Sequence, residues 1–168
     1  FKLKESHQKN LAPSEHRQKR WMLLGKYFRL QTVGSLLVIF FLCSFAMSSM
    51  EATFILYMND LFHWGAREVS YGFAYIGLMM ILTQGFLIRR MLPIFGEKKI
   101  LIVGLIALAS GLAGIAFSTT LTALAFAVTA LSVGNGLINP SIMGSISVLS
   151  NEGEQGEAMG VSQSLSSL

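Results

Sequence analysis

Between Val33 and Met58 the chain reads VGSLLVIFFLCSFAMSSMEATFILYM, twenty-six residues without Lys, Arg, Asp, His or Pro and with a single charge, Glu51. A helix of about 20 apolar residues crosses the roughly 30 Å hydrocarbon core of a bilayer, so this run spans it with some tilt. Lipid offers backbone amides and carbonyls no partners, which excludes a loop or an open strand there. Glu51 lies eight residues before Asn59, about 12 Å from the outer end of the span at the helical rise. That is too deep for an interfacial residue. An acid at such depth is costly and is expected to face a bundle interior or an aqueous cavity. Ser44 and Ser48 precede it at spacings of four and three, which puts all three on one helix face.

Composition agrees with a polytopic membrane protein: 52% of the 168 residues are hydrophobic and 13% charged. The net charge of +4 could suit nucleic acid, but the cations are not spread over a surface. Of the thirteen Lys and Arg, eight precede Val33, four lie between Arg89 and Lys99, and Arg67 stands alone. No nucleic-acid partner is expected. The lone Cys43 excludes an intrachain disulfide and a cysteine metal pair. No signal peptide is visible, and the chain reads as a piece of a larger protein.

Residues 1–32 read as a cytoplasmic inter-domain linker. Within it, Ser14 caps a short amphipathic helix with Trp21, Leu24 and Phe28 on one side. Arg17, Lys19, Arg20, Lys26 and Arg29 would meet anionic membrane lipid. Residues 33–168 read as a transmembrane half-domain, with helices expected at about 33–58, 68–88, 100–117, 122–149 and, cut short, 158–168. The fold class is an all-α integral membrane bundle.

Gln84, near the far end of the second span, is either a substrate contact or a helix–helix hydrogen bond. Residues 89–99, RRMLPIFGEKK, form the next connection, where Pro93 and Gly96 are expected to force a tight turn with positive φ at Gly96. Glu97 would then open the third span, where the helix dipole favours an anion. In that span Ala107 with Gly111, and Ser110 with Gly114, are two small-xxx-small pairs that let helices pack closely. The fourth span centres on SVGNGLINPS, with Ser132, Asn135 and Asn139 on one face and a kink expected at Pro140. That face lines a cavity or makes interhelical hydrogen bonds. Gly134 and Gly136 lack the third glycine and the preceding strand of a dinucleotide site. Residues 151–157, NEGEQGE, form an acidic loop. The loops before the first span and after the second carry twelve of the thirteen Lys and Arg, which places them on the cytoplasmic side.

Four segments carry a family resemblance: MEATFILYMNDLFHWGAREVSY, QGFLIRRMLPIFGEKK, GNGLINPSIMGSISVLS and EQGEAMGVSQSLSSL. In that order they resemble the carboxy-terminal half of a major facilitator superfamily transporter, in the drug/proton antiporter branch with the tetracycline exporters. The resemblance implies a partial six-helix half of that fold, in a bacterial inner membrane. It also implies a missing amino-terminal half as partner. Gly85, Arg89, Arg90, Gly96, Lys98 and Lys99, with Glu97 among them, fit the family's cytoplasmic signature loop, in which Arg89 stands at the position that takes Asp or Arg. The implied function is secondary active transport, proton-coupled export of small amphipathic compounds by alternating access. Glu51 is the residue expected to couple protons or substrate, and Ser44, Ser48, Gln84, Ser132, Asn135 and Asn139 are expected to line the cavity. The partners would be a small-molecule substrate, protons and lipid. A facilitative or import carrier on the same fold, and a non-transporting receptor or scaffold, are the alternatives. The sequence holds no nucleophile–base pair, metal cluster or phosphate loop, so no enzyme, metal or cofactor is expected.

Overall fold

A computed structural model of the chain describes residues 31–149 together with residues 160 and 163. The amphipathic linker helix, the acidic loop and all of the last helix except Gly160 and Gln163 lie outside the described residues. Among the described residues the secondary structure is helical and no strand occurs. Helix α1 is Gln31–Phe62, α2 is Ala66–Leu82, a π-helical turn follows at Thr83–Leu87, α3 is Ile88–Phe117, and α4 is Leu121–Leu149.

α1 runs a full turn past Met58, because Asn59 and Asp60 are polar but compatible with a helix. It stops where His63 turns into the left-handed region at φ 55°. The His63 amide then donates to the Asn59 carbonyl at 3.0 Å and the Trp64 amide to Met58 at 3.3 Å, a closure that satisfies the last carbonyls. The Asn59 side chain braces the turn by donating to the Trp64 carbonyl at 2.9 Å. α2 starts at once, with the Glu68 carboxylate accepting the Gly65 amide at 2.9 Å.

The connection expected over residues 89–99 is not a loop. Helix continues through Arg89, Pro93 and Phe95, and only Gly96 leaves helical torsions, at φ 74° and ψ 162°. Pro93 lacks one amide but does not end the helix; the break belongs to the residue without a Cβ. Residues 118–120 separate α3 from α4, one residue short of the expected turn. α4 continues past Pro140 to Leu149.

α4 is the central helix. Leu131, Ile138, Ile142 and Ile146 on it are at most 1% exposed, and it packs against the other three helices. Its contact with α3 is the closest, for a steric reason. A Cβ on Gly111 would lie 2.6 Å from the Leu131 Cα, and one on Gly134 would lie 2.8 Å from the Leu108 Cα. In lipid, where apolar helices gain little by leaving solvent, such close approach is a main source of adhesion. α1 adds Leu37, Phe40, Met47, Phe54 and Met58 to the core. Leu42, Phe45, Leu56, Ile106 and Phe126 remain exposed on the outside of the bundle. α1, the continuous α2–α3 stretch and α4 are all long and apolar enough to cross a membrane.

Candidate functional site in the helical bundle

The buried stripe of α1 runs through Phe40, Cys43, Met47, Met50, Phe54 and Met58 at helical spacing. Ser44 is half-buried at its edge, while Ser48 and Glu51 are exposed. Glu51 therefore points away from the packing against α2–α4. Among the described residues no hydrogen bond or ion pair reaches its carboxylate. It stands eleven residues before Phe62, about 16 Å from the end of α1 along the axis.

A second polar group lies along the seam between α2 and α4. The Tyr75 and Thr129 hydroxyls are 2.8 Å apart. Lower on the seam, the Asn135 amide nitrogen is 3.9 Å from the Met80 sulfur, and the Asn139 amide makes long contacts of 3.4 and 3.5 Å to Asn135. Both asparagines are half-buried. Ser132 departs from them: it is 0% exposed and its hydroxyl donates to the Val128 carbonyl at 2.7 Å. A hydroxyl satisfied within its own helix, without exposed surface, lines no opening here. Gln84 is exposed within the π-helical turn, next to Thr83, which is 3% exposed. A Cβ on Gly136 would come within 3.0 Å of Thr83, so the π-turn seats its threonine against a glycine of α4. Such turns inside α-helices often mark functional sites.

The signature segment is split by Gly96. Gly85 lies in the π-turn, and Arg89 and Arg90 are exposed on the helical part before the break. Lys98 and Lys99 are exposed after it. Glu97 turns inward, half-buried, and accepts the Ser145 hydroxyl of α4 at 2.9 Å. Below this pair Ile88, Ile100 and Leu137 form a small apolar cluster. Sequence reading missed Ser145, the Tyr75–Thr129 pair and the π-turn. The two pairs join residues 48 and 54 apart in the chain, where no local pattern reports them. Among the described residues no three His, Cys, Asp or Glu side chains gather as metal ligands would.

The profile of the Major Facilitator Superfamily matches residues 1–168, the whole chain. The chain belongs to the Major Facilitator Superfamily. As a superfamily member with several long apolar helices, it is a multi-pass membrane protein of a transport family. Among curated relatives, the class C tetracycline resistance protein of Escherichia coli is 27% identical over 169 residues, all of this chain and 42% of the relative. The class B protein of Escherichia coli is 29% identical over 135 residues, 80% of this chain and 33% of the relative. The class G protein of Vibrio anguillarum is 26% identical, across 99% of this chain and 42% of the relative. The chain thus spans less than half the length of these relatives. No solved structure matches it.

Proposed function

We propose that the intact protein is a proton-coupled exporter of small amphipathic compounds, that it works by alternating access, and that Glu51 is its coupling acid. Glu51 carries this reading. It is a carboxylate deep in a 32-residue apolar helix, on a face that the described helices leave exposed. Facing lipid there would be costly, so the face is suited to an aqueous cavity between this half and the amino-terminal half of the same transporter. An acid whose surroundings change from one open state to the other binds its proton differently in each, which is what coupling requires. Superfamily membership and relatives named for tetracycline resistance support a small organic cargo, and those bacterial relatives support an inner-membrane location. In this reading Asn135, Asn139 and Gln84 bound the cavity from α4 and the π-turn. The face with Arg89, Arg90, Lys98 and Lys99 is cytoplasmic.

Reconstitution of the intact protein in liposomes tests the reading. Glu51→Gln keeps hydrogen-bonding capacity but not the exchangeable proton, and should lose transport driven by an imposed pH gradient. Glu51→Asp should retain part of it. A Glu51→Gln protein that transports at the native rate and still follows the gradient would make Glu51 structural and move coupling to the other half.

A further inference from the structure

At the end of the bundle where α1 turns into α2, a cavity of about 450 Å³ opens between α1, α2 and α4. Phe54, Trp64, Tyr71 and Tyr75 line it, together with Ala125 and one acid, Glu68. Both tyrosine hydroxyls are engaged: Tyr71 accepts from the Arg67 Nε at 3.4 Å, and Tyr75 pairs with Thr129 at 2.8 Å. Apart from the Tyr71 hydroxyl proton, which that bond leaves undonated, what these two rings offer a ligand is π surface. One oxygen of Glu68 accepts the Gly65 amide at 2.9 Å, which fixes the side chain and leaves the second oxygen for another partner. A fixed carboxylate beside aromatic rings attracts a cation twice, through its charge and through the ring quadrupoles. The apolar remainder of the lining favours a bulky, charge-delocalised cation over a hydrated metal ion or ammonium, which would lose its water there. The volume falls within the roughly 300–1,000 Å³ of sites that hold drug-sized ligands.

We infer that this cavity is a binding site for lipophilic organic cations, separate from Glu51 and independent of proton coupling. Glu68 supplies the charge, and Phe54, Trp64, Tyr71 and Tyr75 supply the apolar and π contacts. Arg67, exposed one residue before Glu68, opposes the cation and weakens the site.

Equilibrium binding of tetraphenylphosphonium to the purified intact protein tests this, with triphenylphosphine oxide as the uncharged analogue. Glu68→Gln retains an acceptor for the Gly65 amide, since Gln serves in a capping box as Glu does. It should weaken tetraphenylphosphonium by about tenfold, the equivalent of about 1.4 kcal/mol, and leave the uncharged analogue unchanged. Arg67→Gln should tighten the cation by about twofold, as loss of a screened like charge at a surface does. Ala125→Phe, at an exposed position of α4, should fill the cavity and remove binding of both compounds. Circular dichroism and gel filtration establish that each variant is folded. Native affinity for tetraphenylphosphonium in Glu68→Gln, or in Ala125→Phe, overturns the assignment. Binding is read without a gradient, so its failure leaves the transport reading standing, and a failed transport test leaves this site intact.

Discussion

Glu97 on α3 and Ser145 on α4 meet at 2.9 Å, the hydroxyl donating to the carboxylate beside Gly144. The bond joins the residue just after the Gly96 break to the central helix, so it fixes where the long arm of α3 begins. A hydrogen bond to a charged acceptor in partly buried surroundings exceeds an ordinary one. Ser145→Ala should destabilise the purified protein by about 1–2 kcal/mol. Glu97→Gln should cost less, because an amide oxygen still accepts. Melting temperatures of both single variants and the double variant form a cycle. Additive shifts would mean that the two side chains do not support each other.

The α3–α4 contact predicts a sharp contrast among glycines. Alanine at Gly111 or Gly134 would place a methyl group against the backbone of the facing helix. Each change should cost about 1–3 kcal/mol, the usual range for overpacking. Alanine at Gly77 or Gly85 would meet nothing within 4 Å among the described residues and should melt near the native temperature. Thermal unfolding of the four variants in one detergent decides it, and equal melting temperatures would contradict the packing.

Gly96 holds φ 74°, a region that residues with a Cβ rarely occupy. Gly96→Ala should reduce transport and Gly96→Val should reduce it further, by about 1–3 kcal/mol of local strain in the native arrangement. Since a Cβ there meets no neighbour within 4 Å among the described residues, the expected loss comes from torsion and not from a clash. Flux in liposomes at matched protein content measures it; three equal rates would show that the break tolerates ordinary residues.

The proposed orientation has its own test. On a background without Cys43, single cysteines at His7, His63 and Lys98 should react differently with an impermeant thiol reagent applied to whole cells. His63 should label, and His7 and Lys98 should not. Labelling at Lys98 without labelling at His63 reverses the orientation.

The helical character of this chain was legible because long apolar runs leave the backbone one way to satisfy itself in lipid. Gly96 was legible too: a glycine after a proline, before Glu-Lys-Lys, announces a change of direction. The extent of that change was not. Nothing in Arg89–Phe95 says that the helix survives Pro93, since one missing amide does not decide the fate of a turn supported on both sides. The π-turn at Thr83–Leu87 was hidden for a related reason, because the partner that Thr83 meets there, Gly136, lies on another helix. At the candidate site the sequence grouped Ser132 with Asn135 and Asn139 by angle alone. Burial separates them: Ser132 is 0% exposed, next to Leu131, against which Gly111 of α3 packs. The acid at Glu51 stood out because charge within lipid is rare, whereas Tyr75 and Thr129 are unremarkable until folding sets them side by side.

The lone non-helical residue at Gly96 makes that end of the molecule a universal joint. Two helical rods meet there, joined through the two torsions of Gly96 and packed together through Ile88, Ile100 and Leu137. Arg89 sits seven residues up one rod, so its lever arm is about 10 Å and a bend of about 10° sweeps it through about 2 Å. Lys98 and Lys99 ride the other rod. The spacing between the exposed pair Arg89 and Arg90 and the exposed pair Lys98 and Lys99 therefore runs through a single backbone position.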